Sequence, residues 1–172
     1  MFWRLVHAER QRGRAFQPTF ARRDILASWL GGFVAIGSLG AIGALSHYPL
    51  VVAPFGASTV LLFGHPDSPL AQPRNIVLGN TIAALVSAAC VAWLGSSILV
   101  MCLAVGLTIA LGQMLRCLHP PAGAVALLGV LLKVGPGFVL SPVLAGSLLL
   151  VFVAITYHRL RPSSGMYPHH WL

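Results

Sequence analysis

Two short segments place proline, glycine and small polar residues together inside apolar surroundings. Pro54-Phe55-Gly56-Ala57-Ser58-Thr59-Val60-Leu61 is matched 67 residues later by Pro121-Ala122-Gly123-Ala124-Val125-Ala126-Leu127-Leu128, at the Pro, Gly, Ala and final Leu positions. Proline suits the first turn of a helix, where its missing N–H would lack a partner anyway. A helix start carries unpaired N–H groups and roughly half a positive charge. Two such starts facing one site would attract a small anion without burying a full cation. The candidate donors are the backbone N–H groups of Gly56, Ala57, Ser58, Gly123 and Ala124, with glycine allowing close approach to the backbone. Ser58 and Thr59 add hydroxyls. Asn80 and Gln113 either complete the lining or form hydrogen bonds between helices. Arg116 and His119 stand immediately before the second segment. They read as a basic entrance with a proton-carrying imidazole, or as an interfacial arginine and a backbone-capping histidine.

The remaining polar residues are few. Asp67 and Arg74 flank a proline-rich stretch that also holds Gln72, and read as an ion pair pinning that loop or as charges at a gate. Cys90 and Cys102 lie in apolar runs, and the three cysteines read as buried free thiols. Cys117-Leu118-His119 is too short a pattern for a metal site, and no metal or cofactor is expected. An enzyme would need a nucleophile with a base, paired carboxylates or a metal centre. With three acids in the chain, and Asp67 alone between the outer basic segments, no enzymatic activity is expected.

The elements that hold these residues must be membrane helices. Of 172 residues, 57% are apolar or aromatic and 8% charged, against about 25% charged in soluble domains. This excludes a soluble enzyme, a disordered chain and a nucleic-acid binder. Residues 1–24 carry six arginines, residues 25–157 hold only Asp67, Arg74, Arg116 and Lys133 as charges, and Arg159 and Arg161 follow. The organisation is a basic arm (1–24), a transmembrane domain (25–157) and a basic, histidine-bearing tail (158–172). About 20 apolar residues cross a bilayer. Four stretches qualify: Ile25–Ser46, Asn75–Gly95, Ser97–Leu115 and Val139–Tyr157. Trp29, Tyr48, Trp93 and Tyr157 fall near their ends, as interfacial aromatics do.

Ala53–Gly64 and Pro121–Leu132 are too short to span, at roughly 16–18 Å each. They read as half-helices. The expected fold is all-α and integral to the membrane, with four transmembrane helices and two half-helices in two repeats of span, half-helix, span. Re-entrant half-helices make the repeats parallel. If His65–Arg74 supplies the extended half of a broken crossing, the repeats are inverted, as in many transporters. The arginine bias places both termini in the cytoplasm. The N-terminal arm either lies along anionic lipid headgroups or is a solvated arm. A chain this small has few helices with which to enclose a path, so a homo-oligomer is expected.

Arg116-Cys117-Leu118-His119-Pro120-Pro121-Ala122-Gly123-Ala124 resembles the signature of the HPP family of small membrane proteins, and takes in the motif His119, Pro120, Pro121. Ala53–Ser58 and Pro66–Arg74 are similar to the family's other conserved block. The resemblance covers about residues 22–157. It implies a four-span membrane domain and transport, with members in chloroplasts and cyanobacteria associated with nitrite. Asn80 stands where the family favours His, and Val125 where Thr is common. The expected function is therefore a transporter or channel for a small inorganic anion, nitrite first, in the plasma (inner) membrane of a bacterium. The competing expectations are a regulatory or assembly protein whose half-helices merely pack, and a transporter of another small anion.

Overall fold

The computed structural model describes residues 2–3, 6–7, 9–10, 13, 19–47, 53–161 and 166–171. The reading of the first 20 residues as a lipid-surface or solvated arm lies mostly outside them, and that of Tyr48 as an interfacial aromatic wholly so. The described residues form helices and turns with no strand. Helix α1 is Arg22–Ser46, α2 Ala53–Gly64, α3 Pro73–Leu94, α4 Ile98–Met114 and α5 Pro120–Leu131. Helix α6, Ala145–Leu160, is entered through a wide π-helical turn, Val139–Leu144. There Pro142 removes a backbone donor and Ser141 leaves the helical region (φ −137°, ψ 125°).

Three stretches are long and apolar enough to cross a membrane: Arg22–Ser46, Pro73–Leu94 and Val139–Leu160. The expected third span is shorter than its apolar run. Ser97 accepts the Val100 N–H and starts α4 there, and the chain leaves the helix after Met114, so 17 residues cover about 25 Å. Both half-helices are 12 residues long.

The duplication read from two short segments extends through the whole fold. An offset of 67 carries Ala53–Gly64 onto Pro120–Leu131, and α3 onto the stretch ending at Leu160 to within one residue. Asn80 Nδ2 donates to Ser147 Oγ at 3.2 Å, a pair separated by 67 residues and completely buried. With the helix directions given below, which invert one repeat relative to the other, this contact between equivalent residues places the pseudo-two-fold axis at the bond. The two apolar cores are images across it. Phe55, Phe63 and Ile76 in one correspond to Ala122, Val130 and Val143 in the other, and Leu150 and Val151 to Ala83 and Ala84. Even a small bond recurs: Ser28 Oγ donates to the Phe63 carbonyl at 2.6 Å, and Ser96 Oγ to the Val130 carbonyl at 2.9 Å.

Side-chain contacts fix the direction of every helix. Arg161 binds Asp24 at 2.6 Å and the Tyr157 hydroxyl donates to the Ala27 carbonyl, so the end of α6 lies beside the start of α1. Gly31 of α1 is pressed against the Phe63 ring at the end of α2, so α2 runs back along α1 to that same end. Helix α3 starts there, with Tyr167 of the tail bonded to the Ala71 carbonyl. At the opposite end, Ser96 joins the start of α4 to the end of α5, and Gly129 of α5 packs on Ser87 of α3. The first repeat therefore begins where the second finishes, and the repeats are inverted.

Each half-helix packs on the first helix of its own repeat and on the third helix of the other. A re-entrant α2 would return the chain to the end of α1, whereas α3 starts at the opposite end. Each half-helix thus runs toward the end at which the next helix starts, rather than turning back to the end from which the chain came. The irregular part precedes the helix, at residues 115–119 in the second repeat. His65–Arg74, expected to be that extended part, is instead a partly buried turn around Pro69–Ala71 that leads into α3. In a cysteine-free background, single cysteines replacing His47 and His65 should react with an impermeant maleimide from opposite sides of sealed vesicles. Labelling from one side only would restore the re-entrant arrangement.

Candidate functional site

The site is the place where α2 and the start of α5 meet. Ser58, one turn into α2, and His119, which precedes α5, are both buried. Ser58 Oγ lies 2.8 Å from His119 Nε2, and His119 Nδ1 lies 2.9 Å from the Leu70 carbonyl oxygen. A carbonyl oxygen only accepts, so Nδ1 carries the hydrogen. In the neutral ring Nε2 then accepts the Ser58 hydroxyl hydrogen. The other acceptor in reach of that hydroxyl is the Pro54 carbonyl at 3.4 Å. If Nε2 gained a proton it would donate to Ser58, whose hydrogen would turn to Pro54. The pair can therefore hold or pass a proton without moving the backbone.

The segment that carries His119 is irregular, and its backbone groups are individually paired. Arg74 donates to the Leu115 carbonyl at 2.9 Å and Asn75 Nδ2 to the Leu118 carbonyl at 2.8 Å. The Cys117 N–H reaches the Gly112 carbonyl at 2.8 Å and the Ala122 N–H the His119 carbonyl at 2.9 Å. Gly79 admits this segment against α3: a Cβ there would stand 2.8 Å from both the Cys117 oxygen and the His119 Cβ.

The expected residues divide into three groups. Ser58 and His119 are brought together. Thr59 is buried but its hydroxyl is used within α2, on the Phe55 carbonyl at 2.7 Å, and Asn80 is used on Ser147. Gln113, in the last turn of α4, and Arg116, just past it, lie exposed rather than inside. Gly56 and Ala57 face outward, while Gly123 and Ala124 line an open groove beside α4.

The structure also relocates the amide donors. Helix α5 starts at Pro120, so its open first turn consists of two prolines without N–H groups and of Ala122, already bonded to His119. The amides of Gly123 and Ala124 fall in the next turn, where a helix uses them internally, and those of Gly56, Ala57 and Ser58 stand likewise beyond the first three residues of α2. What the helix starts contribute here is their partial positive charge.

The expected Asp67–Arg74 ion pair is not formed. Arg74 turns toward the Leu115 carbonyl, and Asp67 faces His169 of the tail at 2.9 Å. Gln72 holds the loop instead, donating to the Pro66 and Ser68 carbonyls while accepting the His169 N–H. Tyr167 of the tail is itself buried, which pushes its phenol up. No cluster able to hold a metal ion occurs among the described residues.

Sequence reasoning missed Gly79, Ser147 and the Leu70 carbonyl. Gly79-Asn80 and Gly146-Ser147 are separated by 67 residues, so the repeat offset alone could have found two of them. Replacing Gly79 by Ala should push the Cys117–His119 segment off α3. It should destabilise the protein by about 1–3 kcal/mol, the range for overpacking, read as a lowered unfolding temperature in detergent. Gly106→Ala, with open space around it, is the control and should unfold no lower than the parent.

A family model for the HPP transmembrane region matches residues 17–168. Two transmembrane proteins of Dictyostelium discoideum are similar. One is 34% identical over 84% of this chain and 54% of its own length, the other 36% identical over 84% of this chain and 50% of its own length. The chain thus spans about half the length of these relatives. No solved structure gives a significant match. The His119-Pro120-Pro121 step that turns an irregular segment into a half-helix is the motif of the matching family, and the chain belongs to the HPP transmembrane family.

Proposed function

We propose that the chain moves a small inorganic anion, nitrite foremost, across the membrane in which it sits. The observation that carries this reading is the buried junction of two oppositely directed half-helices, bridged by Ser58 and His119. Broken helices meeting inside inverted repeats are the arrangement in which transporters bind ions near the midplane. Four helices span, and α5 completes a further crossing with residues 115–119 before it. The partial charges of the helix starts favour an anion there, the Ser58 hydroxyl supplies it a donor by turning away from His119 Nε2, and Arg116 draws it to the protein. Arginines 22, 23, 74, 116, 159 and 161 belong to the end that holds the start of α1, with Lys133 at the other. That bias supports a cytoplasmic location for both termini. Small-residue faces on the helices support association with further copies.

Purified protein in liposomes should raise the flux of nitrite above that of empty liposomes, with nitrate, formate and chloride measured alongside. Arg116→Gln should lower the rate and flatten its dependence on ionic strength, because that attraction is screened over about 10 Å at 0.1 M salt. His119→Ala should flatten the pH profile of the flux if the imidazole carries protons. No flux of any of the four anions by folded protein would leave the half-helix junction a packing device and favour an assembly role.

A further inference from the structure

Three neighbouring glycines of α1 have different surroundings. Gly31 is explained by packing, since any Cβ there would enter the Phe63 ring. Gly32 would meet only the Thr59 methyl at 3.4 Å, and Gly37 has nothing within 4 Å. Glycine weakens a helix, and nothing inside the protein requires it at 32 or 37. Both line an open apolar groove of about 630 Å³ between α1 and α2, walled by Trp29, Phe33, Val60 and Phe63. Trp29 and Phe33 stack at 5.8 Å and are 66% and 65% exposed, so the groove has an aromatic rim. It begins near the end of the molecule that holds the arginines and runs inward along α1 from Ser28 to Gly37, about 13 Å.

The charge at its mouth is positive. Arg22 stands seven residues before Trp29, two turns up the same face and about 10 Å away. Asp24 is already held by Arg161 at 2.6 Å, with Arg23 at 4.0 Å, and no salt bridge among the described residues includes Arg22. A cation at the interface above a narrow apolar channel matches a molecule with an anionic head and a hydrocarbon tail. We propose that this groove binds one anionic phospholipid, with an acyl chain along the glycine floor and its phosphate on Arg22. The groove lies on the outer side of the α1–α2 pair, away from the Ser58–His119 junction, so the inference does not depend on what the protein transports.

The test is native mass spectrometry of delipidated full-length protein titrated with palmitoyl-oleoyl-phosphatidylglycerol or with the matching phosphatidylcholine. One phosphatidylglycerol should bind with clear preference over phosphatidylcholine. Gly37→Leu, which fills the floor without touching the core, should weaken that binding about tenfold or more, a change of roughly 1.4 kcal/mol. Arg22→Gln should weaken phosphatidylglycerol binding more than phosphatidylcholine binding and so reduce the preference, because the net charge of phosphatidylglycerol is lost on a neutral side chain. Gly106→Leu, on open surface of α4 outside the groove, should bind as the parent does. Equal binding of the two lipids by the parent, or undiminished phosphatidylglycerol binding by Gly37→Leu, overturns the proposal. So does a dimer that falls to monomer in Gly37→Leu while lipid binding is unchanged, which would make a second copy the occupant.

Discussion

A helix that stops partway across a bilayer leaves polar backbone where no water can satisfy it, and unsatisfied groups there cost several kcal/mol each. Two twelve-residue helices, each about 18 Å long, impose that problem twice on this chain. The fold is a response to it. The irregular segment before α5 is enclosed by α3, whose Arg74 and Asn75 take the Leu115 and Leu118 carbonyls and whose Gly79 lets the backbones touch. His119 closes the segment by reaching back to the Leu70 carbonyl and across to Ser58. Because the covering helix belongs to the other repeat, neither repeat can fold around its own half-helix alone. Interlocking is thus a consequence of the short helices, and the Asn80–Ser147 bond marks the axis on which the two halves meet.

The inversion has a functional corollary. In parallel repeats both half-helix starts would point the same way along the membrane normal, and their partial charges would lie at equivalent heights on one side. In inverted repeats they point toward each other from opposite sides, and their positive ends come together inside. The prolines of the motif sharpen this. By removing two N–H groups from the first turn of α5 they reduce the donors that need partners, and leave the histidine side chain as the polar contact at that end. Arg116, three residues earlier, stays at the surface, so a full cation is kept out of the interior.

Much of this was legible in the sequence. Helix starts at proline, the two apolar runs too short to span, and the 67-residue offset are all local or periodic signals, and the structure reproduces them within a few residues. The direction of the repeats was not legible, because it depends on which third helix covers which half-helix, a tertiary choice with no local signature. Arg74 shows the same limit. Its spacing from Asp67 suggested a local pair, but an unpaired carbonyl 41 residues away took it, and the tail's His169 took Asp67 instead. The amide donors were misplaced for a simpler reason: one turn separates the glycine of Pro-x-Gly-Ala from the open N–H groups, and only the observed helix start fixes that register.

The central claim is that the repeats are inverted and joined across an axis at Asn80 and Ser147. Cross-linking of the double variant Asn80→Cys, Ser147→Cys in a cysteine-free background tests it most directly, with the protein oxidised in its native membrane. The account predicts a disulfide within a single chain, detected by mass spectrometry of the linked peptides. Two free thiols after oxidation, or a bond formed only between chains, would contradict it.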